Sequence, residues 1–370
     1  MINKKNILIV LPNDSLGGAE QYLKLIANHF GKINNYNIFV IFFKKKKTHA
    51  WEDNDYKKNY GTTDKERYGV FNVVQNIYKL RRKKFHYVFT SHVHSNALVG
   101  FLRKIKILNT RFIIGRESTS IFLRYKGLKL LIFKLYYRIG YSGIDLLICQ
   151  SDLMKNQLVD NMIYIENNVN IRVIGNPVNL TMIKSFESKE ITNNLIPKSF
   201  IVSAGRLIPE KGFDILIDAF KLIYKEHSDT KLVILGEGDL RIELEKKINS
   251  EGLSENIFLF GFVNNVYPFF RNAKLCVVSS RLEGFPNVLL QMMSQNNNVV
   301  STLCAGGIDK IDGLYTCMPE DVLALANQMI KCLKTNNKEN RRLFDSELKE
   351  RSVEAFIGKI KLYLNETEVS

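Results

Sequence analysis

The sequence predicts an α/β protein of two domains, each a parallel sheet with helices on both faces. Two observations carry this prediction. Short apolar runs ended by glycine or polar turns alternate with longer amphipathic stretches along the whole chain, and that alternation builds strand–helix–strand crossovers. The chain is 370 residues long and 45% hydrophobic, enough for two cores, and a polar stretch over residues 181–197 divides it.

The first half reads in order as follows. Residues 6–11 are an apolar strand, and residues 13–20, N-D-S-L-G-G-A-E, are a loop before a helix over 21–30. Gly17-Gly18 allow backbone to approach a ligand closely. The spacing is not G-x-G-x-x-G, so no dinucleotide fingerprint is present. Residues 36–43 form a second strand, 48–68 a polar loop, and 70–80 a helix. Residues 87–90 form a strand that runs into S-H-V-H-S-N, placing His92 and His94 at its carboxyl end. There α/β enzymes bind ligands, and an imidazole serves as base or hydrogen-bond partner. Residues 111–115 lead to R-E-S-T-S, and 121–142 read as one helix with apolar residues at three- and four-residue spacing. Its lysines and arginines interleave with tyrosines, which fits either a helix lying on anionic lipid or a core-packed helix with a basic outer face. Residues 145–150 form a strand, with Ser151 capping the next helix.

In the second half, residues 199–204 form a strand followed by G-R-L-I-P-E-K-G-F and a helix over 214–224. Arg206 and Lys211 bracket that loop, and two cations at a strand's carboxyl end can neutralise a diphosphate without a metal. Further strands are expected at 231–235, 257–260, 275–278 and 298–302, with helices over 321–333 and 339–364. The stretch 279–295, S-S-R-L-E-G-F-P-N-V-L-L-Q-M-M-S-Q, reads as strand exit, glycine turn and helix start. Pro286 suits the first helical position, where a missing N–H costs nothing. The free N–H groups at such a helix start, here those of Asn287 and Val288, suit a phosphate. Glu283 sits in the turn and Gln291 eight positions on.

These motifs resemble those of retaining glycosyltransferases of the GT-B architecture, glycosyltransferase family 4 (group 1), of the kind that builds bacterial O-antigen and capsule. The resemblance spans nearly the whole chain and is most specific over 199–302. It implies two doubly wound Rossmann-like domains facing across a cleft. Residues 1–180 would bind the acceptor, 181–338 the nucleotide-sugar, and the helix in 339–370 would pack back toward the first domain. In the family the first Glu of the E-G-F-P signature contacts the donor sugar and a second Glu, eight positions on, holds the ribose. That places Glu283, Gly284, Phe285, Asn287 and Val288 at the donor, with Gln291 replacing the second Glu as an uncharged hydrogen-bonding group. Arg206 and Lys211 match the cations that grip the donor phosphates, Gly17-Gly18 the first loop, and Phe262-Val263 the wall of the nucleobase pocket. His92 takes the second position of a His-x-His segment whose first position is Thr90. That position faces acceptor and donor sugar and assists catalysis, and His94 is the alternative residue for it.

Composition adds to this. Residues 1–180 hold 29 Lys and Arg against 12 Asp and Glu, whereas 181–370 hold 24 against 25. The excess positive charge in the first half predicts an anionic partner. With the resemblance, that partner is a lipid-linked saccharide in an anionic membrane. No uncharged apolar stretch approaches ~20 residues, so the expected location is cytoplasmic, peripheral on the inner face of the membrane. The five cysteines form no C-x-x-C pair and Arg206 and Lys211 can take over the work of a metal at the diphosphate, so neither a metal nor another cofactor is expected beyond the nucleotide-sugar co-substrate. Two other readings compete. Gln291 motivates a non-catalytic partner subunit, and the charge motivates a nucleic-acid binder, for which no recognised motif is present.

Overall fold

The computed structural model describes residues 4–15, 17–46, 51, 56–59, 66–119, 121–181, 183, 197–225 and 228–366. The chain forms two compact units, Met1–Pro177 with Val353–Ser370, and Val178–Ser352.

The first unit runs β1 (Lys5–Asn13), α1 (Gly18–Gly31), β2 (Tyr36–Lys44), β3 (Lys57–Asn59), α2 (Glu66–Lys79), β4 (Phe85–Ser91) and α3 (Val93–Lys104). It continues through β5 (Thr110–Arg116), α4 (Ile121–Arg124), α5 (Gly127–Gly140), β6 (Leu146–Cys149), α6 (Asp152–Asn161), α7 (Ile163–Asn168) and β7 (Asn170–Val173). Its sheet has the order β3-β2-β1-β4-β5-β6-β7, with every pairing parallel. β1 is buried from Ile7 to Asn13, because helices cover both faces of its sheet.

The second unit runs β8 (Phe200–Ala204), α8 (Phe213–Tyr224), β9 (Lys231–Leu235), α9 (Arg241–Ser250), β10 (Ile257–Gly261), α10 (Tyr267–Asn272) and β11 (Leu275–Val278). Then follow α11 (Asn287–Gln295), β12 (Val299–Thr302), β13 (Tyr315–Cys317), α12 (Val322–Lys334) and α13 (Asn340–Glu350). The sheet order is β10-β9-β8-β11-β12-β13, again parallel throughout. A last helix, α14 (Val353–Tyr363), belongs to the first unit.

Four expectations differ from what is observed. The single helix expected over 339–364 is two, α13 and α14, parted at Arg351-Ser352. Phe344 and Leu348 of α13 enter the core of the second unit, while Val353, Phe356, Ile357 and Ile360 of α14 enter that of the first. The helix expected over 121–142 is likewise broken, with Lys126 extended at φ −130° as the N-cap of α5. β3 lies in the stretch expected to be a loop; its polar residues pair with β2 at the sheet edge, and Lys57 Nζ lies over the Phe39 ring at 5.4 Å. β13, an edge strand of three residues, was also not foreseen. No helix among the described residues is long and apolar enough to cross a membrane.

Each sheet has one point where the strand order reverses direction. In the first it falls between β1 and β4, and in the second between β8 and β11. The loops leaving the carboxyl ends of such a strand pair diverge to opposite faces and open a crevice for ligands.

Candidate active site

The loops at the second unit's reversal point are those the motifs had singled out. After β8 the chain passes Arg206, makes a short 3-10 turn at Pro209–Lys211, and enters α8 through Gly212 at φ +61°. A Cβ on Gly212 would stand 2.2 Å from the Ser279 carbonyl oxygen. Only glycine therefore allows both the left-handed turn and the close approach of the two loops. Ser279 Oγ donates to the Lys211 carbonyl at 3.0 Å, and the Arg281 N–H to the Glu210 carbonyl at 2.8 Å.

This clasp brings Lys211 to Glu283. Lys211 Nζ lies 2.8 Å from Glu283 Oε1, with the two side chains 18% and 15% exposed. Ser280 Oγ donates to the same oxygen at 2.6 Å, and the Glu283 N–H donates to the Cys304 carbonyl at 2.8 Å. A half-buried carboxylate fixed by an ammonium and a hydroxyl is held in one orientation. Arg206 is exposed and makes no ion pair among the described residues, so its charge is available to a ligand.

The rest of the donor set is distributed as follows. Pro286 occupies the N-cap position, and α11 starts at Asn287, one residue later than expected. Gly284, Asn287 and Val288 are partly exposed at that start. The Phe285 ring is buried in the core with the Arg351 guanidinium 4.7 Å above it, which leaves its backbone as the part in the turn. Gln291 hydrogen-bonds the Tyr267 hydroxyl. Phe262 is 75% exposed after β10, while Val263 packs partly against the core.

In the first unit, His92 stands at the reversal point between β1 and β4. It is the N-cap of α3, with φ +78° and ψ 140°. That region favours glycine, and a histidine there carries strain on the order of 1–3 kcal/mol. His94 lies one step behind, its ring 5.8 Å from that of His92 and edge-on to Phe43 at 5.5 Å. Gly17 is the N-cap of α1 and Gly18 its first residue, at the carboxyl end of β1.

Residues 184–347 match the family of glycosyl transferases group 1, and residues 16–182 match glycosyltransferase family 4. This chain belongs to the glycosyltransferases. An uncharacterized glycosyltransferase of Methanocaldococcus jannaschii is 30% identical over 64% of this chain and 61% of its own length. A Campylobacter jejuni alpha-1,4-N-acetyl-D-galactosaminyltransferase, whose name gives a saccharide on diphospho-undecaprenol as acceptor, is 26% identical over 96% of both chains. Among solved structures, Anabaena HepE in complex with UDP superposes with a TM-score of 0.76 at 18% identity, over 98% of this chain and all of its own. That likeness shows the GT-B fold.

Two clusters of this glycosyltransferase were not assigned from the sequence. Arg281 is the first. Its Nη1 and Nη2 donate to Asp214 Oδ1 and Oδ2 at 2.8 and 2.6 Å, Nη1 also reaches the Pro209 carbonyl at 2.7 Å, and Nε donates to Glu320. Burial disfavours the Asp214 carboxylate, but the Arg281 hydrogen bonds outweigh it and hold its pKa below the ordinary value. Arg281 thus fastens the Arg206–Lys211 loop to the Glu283 loop. Its position two residues before Glu283 was the available signal. Arg281→Ala is expected to lower kcat about tenfold, less than loss of either cation, because the loop that carries them is misplaced rather than discharged. Arg281→Lys should recover only part, lacking the bidentate fork.

The second cluster is Arg116 and Glu117 at the carboxyl end of β5. Arg116 donates to Asn176 Oδ1 at 2.5 Å and lies over the Tyr22 ring. Glu117 accepts from Tyr141 at 2.6 Å and Tyr137 at 3.0 Å. Ser118 Oγ lies 2.7 Å from Ser91 Oγ, tying this exit to the residue before His92. Complete burial raises the Glu117 pKa from 4.5 to about 7. The folded state therefore holds this proton more tightly than the unfolded state. Stability from Glu117 is full below pH 4.5 and is lost as pH rises to about 7. Thermal melts across that range should show a downward slope that Glu117→Gln flattens, on the order of 3 kcal/mol in all.

Proposed function

We propose that this glycosyltransferase moves a sugar from a nucleotide-sugar to a lipid-linked saccharide, with retention of anomeric configuration, in bacterial surface polysaccharide synthesis such as that of O-antigen or capsule. The observation that carries this is the Lys211–Glu283 pair beside exposed Arg206, at the reversal point of the second sheet. Glu283 orients the sugar through its hydroxyls. Arg206 and Lys211 offset the negative charge that grows on the diphosphate as the bond to the anomeric carbon breaks. The N–H groups of Asn287 and Val288 face the phosphates and Gln291 holds the ribose. The base rests on the wall made by Phe262 and Val263. His92, with His94 behind it, attends the acceptor hydroxyl that forms the new bond. These cations do the work of a metal, and the nucleotide-sugar is the only small molecule required.

The acceptor follows from charge and from kinship. The first half carries the positive excess, and the Campylobacter relative's name gives a diphospho-undecaprenol acceptor. An anionic lipid-linked saccharide at the inner face of the cytoplasmic membrane fits both, with the enzyme peripheral. The test is saturation-transfer NMR with UDP-, GDP- and ADP-sugars on the wild type, Arg206→Ala and Lys211→Ala. One nucleotide class should bind the wild type and be lost in both variants. Binding of none would overturn the reading and point to a non-catalytic partner subunit.

A further inference from the structure

We infer that α5, with the end of α4, is a wedge that inserts into the surface of an anionic bilayer. This rests on the membrane side of the function proposed above and names the element and the mode of contact. Leu128, Leu131 and Leu135 are 75%, 62% and 53% exposed, and Ile132, Ile139 and Leu123 are exposed with them. Positions 128, 131, 132, 135 and 139 recur at helical spacing and share one face. The opposite face is committed to the unit. Tyr137 and Gly140 are buried, and a Cβ on Gly140 would meet the Ala97 carbonyl oxygen at 2.0 Å, so α5 lies hard against α3 and cannot turn its leucines inward.

The sequence left open whether this helix is core-packed or interfacial. A core-packed helix buries its leucines, and this one turns Leu130 to the core but exposes Leu128, Leu131 and Leu135. Large apolar side chains in one row on a surface mark a site of association. The flanking charge names the occupant. Arg124, Lys126, Lys129, Lys134 and Arg138 border the row, and no Asp or Glu occurs between residues 118 and 144. Lys104 extends the basic rim, its Nζ donating to the Ile139 carbonyl at 3.2 Å. The neighbouring acids are already engaged, Asp145 with Arg103 and Glu117 with two tyrosines. Two copies of this face would set cation against cation. An anionic lipid surface instead takes the leucines below its headgroups and pairs the cations with phosphates. Lying in the membrane plane, the helix spans about 21 Å.

The experiment is vesicle co-sedimentation of the full chain, with phosphatidylcholine alone or mixed with phosphatidylglycerol, and with neither donor nor acceptor present. The wild type should bind the anionic vesicles at least about tenfold more tightly than the neutral ones. The double variant Leu131→Glu, Leu135→Glu should lose about tenfold or more on the anionic vesicles, since the apolar contact is replaced by charge. Raising salt from about 0.1 to about 0.5 M should weaken wild-type binding several-fold and leave a residue, because screening removes attraction but not insertion. Near-ultraviolet circular dichroism confirms the fold of the variant. Equal vesicle binding by wild type and variant would overturn the inference, as would no binding to either vesicle. So would a dimer that the variant turns into a monomer, which would assign the face to a second copy. Donor NMR on the same samples separates the two claims, since failed donor binding leaves vesicle docking intact and failed docking leaves donor binding intact.

Discussion

Lys211→Ala and Arg206→Ala are each expected to lower kcat about 10²–10³-fold, as removal of one preorganised charge at a developing anion does. The two should differ in stability. Arg206 is exposed, so its removal should leave the melting temperature unchanged. Lys211 is paired with half-buried Glu283, and its loss leaves that carboxylate with Ser280 as its side-chain partner, at a cost of about 1–2 kcal/mol. Adding Glu283→Gln to Lys211→Ala should restore most of that stability and none of the activity, because the neutral amide needs no cation. Steady-state kinetics and thermal melts on the three variants check this. Equal kcat in wild type and Arg206→Ala would show that the exposed cation has no part in the reaction.

His92→Gly is expected to make the enzyme more stable and nearly inactive. At φ +78° and ψ 140° His92 holds a backbone conformation that suits glycine. Glycine relieves the strain but loses more freedom on folding, so the net gain is about 1 kcal/mol. His92→Ala keeps the Cβ and the strain, and should gain nothing. Both should lose about 10²-fold in kcat if the imidazole acts at the acceptor. A residue kept in strain for packing alone would leave kcat near the wild-type value in one of the two.

Where the candidate residues fall in the fold was legible because short motifs there meet a topological rule. G-R-L-I-P-E-K-G and S-S-R-L-E-G-F-P each follow an apolar strand, and those strands, β8 and β11, are neighbours in the sheet. Contacts distant along the chain were not legible. Asp214 reads as an ordinary acid in the first turn of a helix until Arg281 is seen to grip it from 67 positions away. Phe285 sits inside a motif for a ligand, yet a large ring beside apolar helix positions is taken by the core. The break between α13 and α14 is hidden because charge periodicity continues across it while the apolar residues change their core. For α5, periodicity shows that an apolar face exists and not what covers it. Backbone strain at His92 leaves no mark on composition at all.

Sugar transfer with retention is the activity on which the proposed roles of Glu283, Lys211 and Arg206 depend. The most direct measurement is proton NMR of the reaction mixture, using the nucleotide-sugar that binds and a saccharide-diphosphate lipid as acceptor. The donor's anomeric signal should decay while a product signal of the same anomeric configuration grows, and neither change should occur with Lys211→Ala. A product of opposite configuration would contradict the retaining assignment, and a bound donor that never turns over on any such acceptor would contradict the enzyme itself.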